Sequence, residues 1–155
     1  MKATALLRQK HKALARLLAR VAEDRAQRVA LMLQLIEELM THLLIENRLF
    51  LEPIAAMATV RIDAHRDDHA RIRNAILQAV FVEADDAAFA VRLEDLAGAF
   101  NGHVRTLERE LLPAVEARIA EDDLESMGKR MQAVWARAMG SGRSLQAASR
   151  ELAAP

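Results

Sequence analysis

The chain of 155 residues is long enough for one domain, which at this size buries about 70% of the surface its unfolded form exposes and needs no staple to fold. Lys plus Arg and Asp plus Glu each number 22; the zero net charge leaves no basic excess for nucleic acid. The lack of cysteine excludes disulfides, zinc fingers, thiol chemistry and iron–sulfur clusters.

With 5 Gly, 3 Pro and an apolar fraction of 52% rich in Ala and Leu, the composition points to an all-helical chain. The first predicted helix runs from about 4 to 23, where Leu6, Leu7, Leu14, Leu17, Leu18 and Val21 form a helical stripe. Glu23-Asp24-Arg25 reads as a turn. A second stripe follows: Val29, Leu33, Ile36, Leu39, Leu43, Leu44, Leu49 and Phe50. It meets Pro53, which the interior of a helix does not accommodate. A third helix is predicted from about 61 to 81, with Ile62, Ile72, Ile76, Leu77 and Val80. Glu83 to Asp86 reads as a turn and N-cap.

A fourth stripe carries Phe89, Val91, Leu93, Leu96, Phe100, Val104, Leu107, Leu111 and Leu112, and ends or kinks at Pro113. A short fifth helix covers about 122 to 139, with Trp135 as its large aromatic anchor. Residues 140–155 read as a flexible tail beyond a single domain at 1–139. The simplest fold is an up-down-up-down four-helix bundle with that fifth helix added. No apolar run reaches about 18 residues and no secretory signal opens the chain, so a membrane partner is not expected and the cytoplasm is the expected compartment.

The five histidines, His11, His42, His65, His69 and His103, fall on all four long helices. His65 and His69 share a face at i, i+4 spacing, as do His42 and Glu46. At a rise of about 1.5 Å per residue, His11 and His42 both lie roughly 21–26 Å from the first turn. His69 and His103 stand at a matching height from the third turn. Apolar neighbours flank each one: Leu7 and Leu14, Leu39 and Ile45, Ile62 and Ile72, Phe100 and Leu107. A lone histidine on an apolar face is ordinarily a hydrogen-bonded core residue. Five at one level are different, because each unsatisfied buried group costs about 1–3 kcal/mol. A shared metal resolves that cost. A faint repeat with an offset of about 60 residues (His11, His42 with Glu46, Pro53; then His69, His103 with Glu108, Pro113) suits a two-metal site between pseudo-symmetric halves. Neither Glu-x-x-His nor His-Glu-x-x-His occurs, against ferritin-like and zinc-protease sites.

The segments KHKAL (His11), HLLIE (His42, Glu46), HRDDH (His65, His69) and HVRTLE (His103, Glu108), the last leading into LLP, resemble the hemerythrin and HHE-domain family over about 8 to 139. The resemblance implies two non-haem iron ions with an oxo or hydroxo bridge. His65, His69 and His103 would bind one iron, His11 and His42 the other, and Glu46 and Glu108 would bridge them. The implied function is binding of dioxygen, or a similar small diatomic, for storage, delivery or sensing. The alternatives are a di-iron enzyme acting on peroxide or nitric oxide, and an iron-storage or iron-sensing module. The chain departs from the family pattern at Glu108, where oxygen carriers have the shorter Asp, and at Asn47, where many HHE proteins have an acid.

Glu108 lies five residues after His103, about 140° past its direction on a regular helix. If both ligate, the helix must relax there, for example through a π-bulge, and Asn101-Gly102 is where irregularity is affordable. Leu7, Leu14, Leu39, Ile45 and Phe100 are the apolar candidates around the two-histidine iron. Asp67 and Asp68 read first as solvated charge and second as hydrogen-bond partners of a ligating histidine; Glu52 and Glu110 read as solvent-facing, and Met127 and Met131 as packing.

Overall fold

The computed structural model describes residues 1–58, 60–82 and 87–140, and among them there is helix but no strand. The elements are α1 (Ala3–Glu23), α2 (Arg28–Glu46), a π-helical segment π1 (Asn47–Leu51), α3 (Glu52–Ala58), α4 (Asp63–Val80), α5 (Ala87–Thr106), π2 (Leu107–Leu111), α6 (Leu112–Glu116) and α7 (Glu121–Gly140). α2, π1 and α3 form one continuous rod, and α5, π2 and α6 form another. With α1 and α4 these make the four long members of the bundle. α1 packs on α2 and α4 on α5, while α7 lies against α1 and α2. The expected turn and N-cap at Glu83 to Asp86 and the expected tail beyond Gly140 lie outside the described residues.

Local chemistry fixes the first link. Asp24 Oδ1 accepts from the Gln27 backbone N–H at 3.1 Å. The Arg28 guanidinium donates to the carbonyls of Val21 and Ala22, satisfying acceptors that the end of α1 leaves open. The fifth helix is held by close approach. A side chain on Gly128 would put Cβ 2.2 Å from the Met1 carbonyl oxygen, so only glycine lets α7 meet the start of α1.

The buried apolar residues divide into two clusters. One contains Leu7, Ile45, Phe50, Ile54, Leu107, Leu112 and Trp135; the other contains Leu14, Leu35, Leu39, Ile72, Leu96 and Phe100. Along α1, Leu7 belongs to the first and Leu14 to the second, with His11 between. His42 stands likewise between Leu39 and Ile45, and His103 between Phe100 and Leu107. The histidines form a polar layer between two hydrophobic blocks.

Three expectations are corrected. The helix does not stop at Pro53 but runs through it to Ala58. Both Pro53 and Pro113 follow a π segment, in which the N–H of Glu52 bonds the Asn47 carbonyl and that of Leu112 bonds the Leu107 carbonyl, five residues back. Where the ladder widens and then narrows again, a residue without an N–H is tolerated. The assigned stripes are also too broad: Val29, Leu33, Leu77, Val80 and Val91 are all more than half exposed. Finally, the helix around Asn101-Gly102 is regular, and the relaxation begins only at Leu107.

Candidate metal centre

α1 supplies His11, α2 supplies His42 and Glu46, α4 supplies His65 and His69, and α5 supplies His103. All six are buried, and Glu46 is fully so. Glu46 is the hub. Its Oε2 lies 3.0 Å from His42 Nε2 and 3.5 Å from His11 Nε2. Its Oε1 lies 3.0 Å from His69 Nε2 and 3.2 Å from His103 Nε2. One carboxylate thus sorts four histidines into two pairs, one pair per oxygen. His11, His42, Glu46 and His103 each offer a donor atom within 4.8 Å of the others. His65 joins from the side, its ring centroid 6.3 Å from that of His103.

Glu108 is placed differently from the other six. It follows the first residue of π2, is 28% exposed, and its Oε1 lies 2.8 Å from His11 Nδ1. Its one described contact with the cluster is through that far nitrogen of His11.

The electrostatics are those of a compact site around one anion. Burial opposes ionisation of Glu46, yet the adjacent imidazoles, His103 foremost, hold its carboxyl well below the usual range. Burial also opposes protonation of His103, but the Glu46 charge outweighs it and raises the pKa. Burial prevails at His42, pushing its pKa down to about 4, and lowers that of His65. These two are neutral imidazoles at neutral pH, the form that ligates metal.

Among the described residues, five buried ring nitrogens have no hydrogen-bond partner: both of His42, both of His103, and Nδ1 of His65. His42 Nε2 and His103 Nε2 are near Glu46 oxygens yet not aligned for hydrogen bonding. Buried donors and acceptors normally find partners, so crowded and unpaired nitrogens mark a layer shaped for something other than hydrogen bonds among its members.

Two residues at the centre had other leading roles in the sequence reading. Asp68, taken there as solvated, is 15% exposed, and its carboxylate lies within 4.8 Å of donor atoms of His65 and His103. Its spacing of three from His65 was the available signal. Trp135, foreseen only as an anchor, stacks on His42 with centroids 5.8 Å apart and planes at 21°. Asp67 and Glu110 are exposed as expected; Met127 and Met131 are buried in packing.

No helix among the described residues is long and apolar enough to cross a membrane. No curated protein and no solved structure gives a significant match to the chain. The family model described as the hemerythrin HHE cation binding domain matches residues 2–115, from α1 through α6, and leaves α7 outside. The match takes in every histidine of the buried layer together with Glu46 and Glu108, and the chain belongs to the hemerythrin HHE cation-binding domain family.

Proposed function

We propose that the chain is a non-haem di-iron protein that binds dioxygen, or a similar small diatomic, for storage, delivery or sensing. The observation that carries this is the division of histidines by Glu46: His11 and His42 on one oxygen, His69 and His103 on the other. A donor set of imidazoles with few carboxylates suits iron, and the unpaired buried nitrogens fit ligation better than a hydrogen-bonded core. In this reading His11 and His42 would hold one ion, and His65, His69 and His103 the other. Glu46 would serve both, and Glu108 would be the second carboxylate. A ferrous pair, when bound, would supply the two electrons that reversible dioxygen binding requires.

The chain's own residues set the surroundings. Leu7, Leu14, Leu39, Ile45 and Phe100 are buried above and below the layer and exclude bulk water from the His11 and His42 side. The chain has no Tyr, so no phenol donates to a bound gas. The test is iron analysis with an absorption spectrum of the reduced protein before and after air. Two irons per chain and a visible band that reverses on removing oxygen support the reading. Turnover of peroxide or nitric oxide without a reversible oxygen complex would replace it with the enzymatic alternative, and protein without metal would overturn it.

A further inference from the structure

His42 has a feature that ligation alone leaves unexplained. Its Nε2 faces Glu46, while its Nδ1 is buried and without a hydrogen-bond partner. Trp135 closes one face of the ring. Beside them lies a cavity of about 60 Å³ bounded by Lys10, Leu14, Glu38, His42, Trp135 and Met139. That is room for about two waters, and the walls are polar enough to hold them. Trp135 and Met139 come from α7, beyond the residues that the family model matches.

The polar groups on these walls complement one another. Glu38 precedes His42 by four residues on α2, which sets the two on one face with Cβ atoms about 5–6 Å apart. Gln34 Nε2 donates to Glu38 Oε1 at 2.7 Å, and a carboxylate accepts further hydrogen bonds. Lys10 Nζ stands 4.8 Å above the Trp135 ring, and burial lowers its pKa while the Glu38 charge acts the other way. The Glu38 carboxylate disfavours an anion in so small a space. Water, which both donates and accepts, fits.

We propose that Glu38 is a positioning residue for His42: it receives the Nδ1–H through a water held in this cavity, and thereby keeps Nε2 bare and aimed at the metal centre. The proposal rests on the metal-centre reading above. Ligating histidines ordinarily hand their second N–H to a carboxylate, carbonyl or water, which fixes tautomer and ring orientation. His42 lacks a direct partner, and the cavity with Glu38 behind it supplies an indirect one.

The experiment compares wild type, Glu38→Gln and Glu38→Leu, with zinc as a diamagnetic, redox-inert probe. Calorimetric titration of wild type should show two zinc equivalents. Glu38→Leu should weaken one of them roughly 10–100-fold and spare the other. Glu38→Gln, whose amide oxygen still accepts, should keep most of that affinity. Nitrogen-15 spectra of the zinc-loaded wild type should show a slowly exchanging Nδ1–H on His42 that broadens away in Glu38→Leu. Unchanged affinities and an unchanged His42 signal in Glu38→Leu would overturn the proposal. So would an equal loss at both equivalents with lower stability of the metal-free protein, the signature of a packing residue. Wild type that binds no zinc would overturn the metal-centre reading and the relay together.

Discussion

Replacing Glu46 with Gln keeps the shape of the hub and changes its chemistry. Glu46 is fully buried and approaches four histidine nitrogens at 3.0–3.5 Å. In metal-free protein the neutral amide removes the charge that raises the His103 pKa. Burial then acts on His103 unopposed by that charge and favours its neutral form. The variant therefore escapes the roughly 3–5 kcal/mol of a buried charge left unpaired, and loses only about 1–3 kcal/mol through mismatched hydrogen bonds. The effect with metal is larger. An amide nitrogen turns N–H donors toward one histidine pair and offers no lone pair to an ion, so one of two metal equivalents should be lost. An ion at 100 times its Kd stabilises the fold by about 2.7 kcal/mol, so wild type should gain about 5 kcal/mol and the variant about half. Urea unfolding followed by circular dichroism, with and without ferrous iron, measures both terms, and elemental analysis gives the stoichiometry. A variant that still binds two equivalents at wild-type affinity would refute the role of Glu46 as shared ligand.

The metal-free protein should lose about 3 kcal/mol of stability between pH 6.5 and 4, because His42 titrates near 4 when folded and near 6.5 when unfolded, so the unfolded chain takes the proton first. Glu46, depressed when folded, adds to the loss below about pH 4.5, whereas the raised His103 contributes fully below 6.5 and loses its share only at higher pH. Flat urea midpoints from pH 6.5 to 4 would contradict this. Gly128→Ala should lower the melting temperature by several degrees, since overpacking costs about 1–3 kcal/mol where Cβ meets the backbone of Met1 and Ala3; an unchanged melt would show that the start of α1 yields freely. His11→Ala should weaken the ion on the Oε2 side of Glu46 and spare the other, removing the azide charge-transfer band of the oxidised iron protein. An undiminished band would place the anion-accepting ion on the other side.

The histidine layer was legible because each histidine sat inside an apolar stripe and helix rise fixed their heights. Rise and periodicity carry no information on how wide a buried face is. That is why Val29, Leu33 and Val91, which continue the stripes in sequence, lie outside the contacts between helices. The spacing of Glu108 from His103 announced a relaxed helix, but the widened turn begins at Leu107 while Gly102 stays in a regular ladder. π1 gave no such warning, since His42 and Glu46 keep the ordinary spacing of four and the widening starts only afterward. Asp68 was read first as solvated, and Lys10 was passed over, for a related reason. Each is a charged residue next to a histidine, and whether it faces water depends on what packs opposite.

The two π segments have a consequence for how this sequence tolerates change. Each behaves as a single residue inserted into a helix, and their first residues, Asn47 and Leu107, are 60 positions apart. In π1 the insertion lets Leu49, Phe50 and Leu51 all turn inward, which a regular helix with one buried face does not allow. Deleting one residue from π1 would close the widened turn into a regular ladder and leave Ile54 in phase with Glu46, but the Pro53 ring would then meet the carbonyl four residues back. Both rods carry the same extra residue, and in each the widened turn makes room for the proline that follows it, so the prolines and the π segments stand or fall together.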